Sequence, residues 1–129
     1  MSIELNHTIV SARDNGASAR FVAELLGLPP PTRFGPFMMV QTANGVSLDF
    51  MAASKEIARQ HYAFLVSEAE FDDIFGRIQA RGMSYWADPG HGRPGAINHR
   101  DGGRGVYFED LDGHSLEILT RPYGSGGPW

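Results

Sequence analysis

Two histidines and one glutamate carry the chemistry this chain can offer. His7 stands in ELNHTIV, His61 in QHYAFLV and Glu117 in HSLEILT, each inside a short apolar stretch. Two imidazoles and a carboxylate facing a common cavity form a facial triad, which holds a divalent metal and leaves positions open for a substrate. Taken singly, each residue has a plainer explanation, because a strand histidine near a sheet end is usually a hydrogen-bonded, partly exposed group. Glu117 is harder to dismiss. Strands disfavour Glu, and a carboxylate set among Leu116, Ile118 and Leu119 costs several kcal/mol if it is buried without a partner. A bound cation would offset that cost. Asp49, in GVSLDFMA, stays open among four roles: a further ligand, an acceptor orienting a histidine, a substrate contact, or a solvated acid. His91 and His99 lie in a loop and His114 beside a turn, so surface roles are expected for all three.

The elements that must position these residues repeat. IELNHTIV reads as a strand. A helix follows, with Phe21, Val22, Leu25 and Leu26 on its apolar face and Gly27 as its stop. GPFMMVQTA and GVSLDFMA then read as strands joined at Asn44-Gly45, a hairpin signal. The second half opens with the strand QHYAFLV. Ser67 with Glu70 three residues on is a capping box, Phe71, Ile74, Phe75 and Ile78 keep helical spacing, and Gly82 ends the helix. GRGVYFED and HSLEILT are strands joined through Asp112-Gly113. Each half therefore runs strand, helix, then two or three strands, with a histidine in the first strand and an acid in the last. Strand alternation sets His7 with Leu5 and Ile9, His61 with Ala63 and Leu65, and Glu117 with Ser115 and Leu119. The long segment ADPGHGRPGAINHRDGGRG, rich in Gly, Pro and charge, reads as a lid, a binding loop or a mobile loop. Arg93 and Arg100 within it suit solvated positions, with an anionic substrate group as the alternative. The expected organisation is one domain over 1–129, made of modules at about 3–53 and 59–121, with a frayed tail at 122–129.

Composition narrows the function classes. The chain has 129 residues, 42% of them hydrophobic, and a formal net charge of -4. No basic stripe is present, so nucleic acid is not an expected partner. No segment approaches the roughly 20 apolar residues that span a bilayer, so no membrane is expected either. Cysteine is absent, which removes disulfides, thiolate ligands and a cysteine nucleophile. MSIELNHTIV lacks a basic region followed by an apolar stretch, so a soluble cytoplasmic protein is expected.

ELNHTIV, QHYAFLV and VYFEDLDGHSLEIL together resemble the vicinal oxygen chelate superfamily. That group includes glyoxalase I, the fosfomycin-resistance thiol transferases, bleomycin-resistance proteins, methylmalonyl-CoA epimerase and extradiol dioxygenases. The last segment is similar to the family's aromatic-Asp-Pro-Asp-Gly-x-x-x-Glu pattern, with Leu111 in place of the proline. The resemblance implies an α+β fold of two βαβββ modules forming an open, barrel-like cleft. It implies His7, His61 and Glu117 as ligands of Mn, Fe, Zn or Ni, and Tyr107 as a catalytic residue that contacts substrate. Asp49 is near the position of a further acid of glyoxalase I but is shorter by a methylene. Ile9 and Ala87 depart from the thiol transferases where those have a threonine and a lysine. Phe37, Met39, Asp49 and Tyr107 are expected to line the substrate pocket. The implied activity is a metal-dependent lyase, thiol transferase or dioxygenase that chelates a small substrate through vicinal oxygens and stabilises an oxyanion. A homodimer is expected, the site either shared between chains or built within one. The alternative is a metal-free protein that sequesters an antibiotic or aromatic molecule. A structural partner domain with a vestigial site is a third reading.

Overall fold

The computed structural model of the chain describes residues 2–127. They fall into two compact units, Met1–Ala58 and Arg59–Trp129. In the first, β1 (His7–Ala12), α1 (Asn15–Leu26), β2 (Thr32–Phe34), β3 (Phe37–Gln41) and β4 (Ser47–Ala52) make a βαβββ module. Its sheet has the order β1-β4-β3-β2, with β1 parallel to β4 and the other pairs antiparallel. In the second, β5 (His61–Leu65), α2 (Glu68–Ala80), β6 (Gly105–Glu109) and β7 (Ser115–Leu119) give a sheet of order β5-β7-β6.

The expected mixed α+β class therefore holds, with one difference. The second unit has three regular strands, and the place of a fourth is taken by a single rung. Trp86 and Tyr107 exchange both backbone hydrogen bonds, at 2.9 and 2.8 Å. Pairing stops there because the following residues turn away: Asp88 accepts hydrogen bonds from the amides of Gly92 and Arg93, each at 2.8 Å, and closes a loop in which His91 lies flat on Trp86. A side chain that satisfies local amides offers the backbone an alternative to a ladder.

Local chemistry explains the helices. Asp14 caps α1 by accepting from Ala17 N, and Gly27 closes it in the left-handed region at φ 72°. On α2 the Ser67 hydroxyl accepts from Glu70 N at 3.1 Å while Glu70 accepts from Ser67 N at 2.8 Å. Ser67→Ala removes one half of this reciprocal pair. It is expected to cost about 1 kcal/mol of stability, read as a shift of the urea midpoint at unchanged slope.

Each sheet has one face turned to a core. Val10, Ala12, Val40, Leu48 and Phe50 are buried with Val22, Ala23 and Leu25 of α1. Val106, Phe108, Leu116 and Ile118 are buried in the second unit, as are Phe71, Ile74 and Ile78 of α2. The candidate site residues occupy the opposite faces, because side chains alternate along a strand.

The long segment between Trp86 and Gly105 is tied down at several points. Asn98 and Gly105 exchange backbone bonds at 2.9 Å, the Asn98 side chain donates to Ala87 O at 2.9 Å, and Gly95 N donates to Tyr85 O at 2.9 Å. The C-terminal segment departs from the expected frayed tail up to Gly127. Gly124 N and Gly126 N donate to the two Asp101 carboxylate oxygens at 3.2 and 3.0 Å. The final two residues of that expectation lie outside the described range.

Candidate metal centre

The two sheets place their histidines and acids in the same register. In the first unit His7 lies opposite Ser47 and Ile9 opposite Asp49. In the second, His61 lies opposite Ser115 and Ala63 opposite Glu117. The third strand adds Met39 opposite Asp49 in one unit and Tyr107 opposite Glu117 in the other. Each unit thus presents one imidazole and, one row along the same face, one carboxylate.

In the second unit these groups meet. His61 Nδ1 lies 3.0 Å from the Ser115 carbonyl oxygen, which can only accept, so Nδ1 carries the hydrogen. That leaves the Nε2 lone pair facing Glu117 Oε1 at 3.1 Å. A neutral imidazole nitrogen and a carboxylate oxygen are both acceptors, and at this distance they need a positive group between them or a second proton on the ring. Two ligands of one ion, each about 2.0–2.2 Å from it, sit about 3 Å apart when roughly at right angles. The donor set therefore fits a divalent cation. Glu117 is 1% exposed, so a charge there cannot be left to water, while the His61 side chain is 47% exposed and keeps the site open on one side.

The other Glu117 oxygen is held by protein. The Tyr123 hydroxyl donates to Oε2 at 2.5 Å. It also shares a 2.8 Å hydrogen bond with the Tyr107 hydroxyl. The Arg100 guanidinium donates to Tyr107 at 3.0 Å and to Tyr123 at 3.4 Å. Burial of the hydroxyl end pushes the Tyr123 pKa up, and its hydrogen bond to Glu117 pushes it further, so the phenol stays a donor. Burial lowers the Arg100 pKa, but the bonds to the two tyrosines outweigh it and the net shift is upward.

Tyr107 is 3% exposed and stacks at 5.9 Å on the His61 ring, on the same sheet face as the pair. In the first unit, His7 Nδ1 donates to the Asn6 side-chain oxygen at 2.7 Å. Asp49 accepts from the Ser47 hydroxyl at 2.5 Å. His7, Phe37, Met39 and Asp49 line one groove of about 390 Å³. So the structure joins His61 to Glu117 and Tyr107, and His7 to Asp49, Phe37 and Met39. Among the described residues, no group of three or more His, Cys, Asp or Glu side chains is gathered to hold a metal ion.

Three residues differ from their expected places. Arg100 is a member of the hydrogen-bond chain rather than a solvated loop residue, because Tyr107 presents its hydroxyl to it. Tyr123 reaches Glu117 from the segment expected to fray; its only sequence signal is an aromatic residue between Pro122 and Gly124. His114 is fully buried: its Nδ1 accepts from Gln60 N at 3.1 Å, and its own amide donates to Asp110 at 2.8 Å. Burial raises the Asp110 pKa against the lowering effect of that bond. His91 and His99 stay peripheral, His91 stacked 3.6 Å over Trp86 and His99 exposed.

A βα unit closed by antiparallel strands, occurring in each half with the His–acid register kept, defines an α+β protein built on a duplicated module, each sheet face carrying one histidine and one acid. The chain belongs to the Glyoxalase/Bleomycin resistance protein/Dioxygenase superfamily, whose model matches residues 4–118. It is 67% identical to Oxidase ChaP-H1, over 95% of this chain and 99% of that one, with a TM-score of 0.94. It is 29% identical over 120 residues to Glutathione transferase FosA of Serratia marcescens, covering 88% of this chain and 78% of that protein. The fold is shared with the fosfomycin resistance protein FosX of Listeria monocytogenes, solved with Mn(II) and sulfate. That match has 21% identity and a TM-score of 0.72, over 98% of this chain and 96% of that one. Among the described residues no helix is long and apolar enough to cross a membrane.

Proposed function

We propose that this chain is a metal-dependent oxidase that acts, with dioxygen as the oxidant, on a small molecule presenting vicinal oxygens. The observation that carries the metal is the 3.1 Å approach of His61 Nε2 to the buried Glu117 carboxylate. The reaction class rests on the 67% identity to Oxidase ChaP-H1. The roles follow the residues. His61 and Glu117 hold the ion, and His7 is the third ligand. Once bound, a divalent ion of the Mn, Fe, Zn or Ni group supplies a Lewis acid to which two oxygens of the substrate can be chelated. Tyr107, enclosed beside His61, orients the substrate with its ring, since its one hydroxyl hydrogen is given to Tyr123. Phe37 and Met39 offer an apolar wall to the substrate body, and Asp49 accepts a hydrogen bond from it.

Pairing of two cytoplasmic chains belongs to the same proposal, and a mixed dimer tests where His7 acts. Chains carrying His7→Ala and Glu117→Gln are co-purified as a heterodimer and assayed for metal. One ion per heterodimer is expected if His7 of one copy completes the site of the other. None is expected if each chain builds its own site. Oxygen uptake with an aromatic vicinal diol should depend on added metal and stop with chelator. Quenching of Trp86 fluorescence by that diol in chelator-stripped protein, with no oxygen uptake under any metal, would overturn the oxidase in favour of the sequestering reading.

A further inference from the structure

The segment after β7 has no part in either sheet, yet it is the segment that touches the buried carboxylate. Tyr123 donates its hydroxyl to Glu117 Oε2, and four further hydrogen bonds hold Tyr123 and the residues after it in place. Arg100 and Tyr107 bond to its hydroxyl at 3.4 and 2.8 Å. Gly124 N and Gly126 N bond to the Asp101 carboxylate. Gly126 is packed so closely on Asp101 that a Cβ there would lie 2.7 Å from the Asp101 Cα. Asp101 itself is in the left-handed region, at φ 57°, which turns its side chain to meet both amides.

We propose that Tyr123 is a positioning residue for the metal carboxylate, held over it by the Asp101 anchor. A carboxylate left to itself can turn both oxygens to a cation. Here Oε2 is engaged by the phenol, so Glu117 presents Oε1 alone toward His61 Nε2. A single-oxygen ligand leaves one more position free for a substrate that binds through two oxygens. Hydrogen bonds to a ligating carboxylate fix its orientation in this way, and their loss typically costs about 10–100-fold in metal affinity or activity. Arg100 acts through the tyrosines: its guanidinium, which cannot lose its proton, donates to both oxygens, so the Tyr107 hydrogen turns to the Tyr123 oxygen and the Tyr123 hydrogen to Glu117. The inference rests on the metal reading above, with His61 and Glu117 as ligands.

The test uses full-length protein and Mn(II) or Co(II) alone, read by chelator competition and by the Co(II) visible spectrum. Tyr123→Phe keeps the ring beside Arg100 and removes only the hydroxyl. It is expected to raise the Mn(II) Kd about 10–100-fold and to shift the Co(II) bands, since the carboxylate changes its mode of binding. Gly126→Ala leaves the hydroxyl on the chain but forces the segment off Asp101, and both readouts should move in the same direction. A Tyr123→Phe protein with wild-type Kd and wild-type spectrum, while His61→Ala and Glu117→Gln lose the ion, overturns this inference and leaves the metal reading standing. Retention of wild-type Kd by His61→Ala and Glu117→Gln instead sinks the metal reading, and this inference with it.

Discussion

Glu117→Gln is expected to abolish stoichiometric metal binding and to lower kcat/KM about a thousandfold or more. The Lewis-acid contribution of a bound ion amounts to several kcal/mol, and each 1.36 kcal/mol is a factor of ten in rate. The same substitution should leave apo stability equal to wild type or higher. Its amide NH2 can donate to His61 Nε2, where the carboxylate Oε1 now sits at 3.1 Å, and its oxygen can accept from Tyr123. A buried charge of 1% exposure is thereby replaced by a neutral group with both hydrogen-bond needs met. His61→Ala also loses the ion but leaves the carboxylate without its imidazole. It also removes the hydrogen bond from His61 Nδ1 to the Ser115 carbonyl, and should destabilise the apo protein by about 1 kcal/mol. Elemental analysis and thermal unfolding of the three apo and loaded proteins check this. If Glu117→Gln retained full metal content, Glu117 could not be a ligand.

The second large effect is structural. Phe71→Ala should lower the unfolding free energy by about 3–5 kcal/mol, measured by urea titration at constant slope. Phe71 is fully buried on the inner face of α2, packs on Phe75 at 5.7 Å, and lies 4.4 Å beneath the Arg104 guanidinium. The same guanidinium bonds Glu68 and Asp72 on α2 at 2.8 Å each. These two acids are well exposed and contribute little, so the loss should follow the cavity rather than the ion pairs. Phe71→Leu, which keeps most of the volume, should cost far less. An equal loss for both substitutions would point to a mechanism other than the cavity.

Helix boundaries and the duplicated plan were legible because their causes are local. Ser67 and Glu70 cap α2 through bonds three residues apart, and Gly27 ends α1 because it alone takes φ 72° without strain. The placement of a histidine in the first strand and an acid in the last was legible as well. Alternation puts Glu117 on the face opposite Leu116 and Ile118, and the strand positions of His61 and Glu117 are visible before any folding. Pairing β5 with β7 adds the one fact that alternation lacks, namely which residue stands opposite which.

What needed tertiary structure was the set of contacts made by residues of the loops and the C-terminal segment. Trp86 forms a rung on β6 instead of a strand, because Asp88 captures the next amides. His114, beside a turn, is buried because its ring accepts the Gln60 amide 54 residues away. Tyr123 reaches Glu117 only because Asp101, in a distant loop and in a left-handed conformation, binds the glycine amides that follow it. Periodicity reports which face a side chain takes along its own strand. It carries no information about hydrogen bonds between segments far apart in sequence, since those depend on how the chain closes. By itself, then, the sequence determined the two modules, the faces of His7, His61 and Glu117, and the absence of thiol chemistry. Only the folded chain decided that the Glu117 carboxylate is shared between an imidazole and a phenol, because that meeting is made by loop geometry and not by any local pattern.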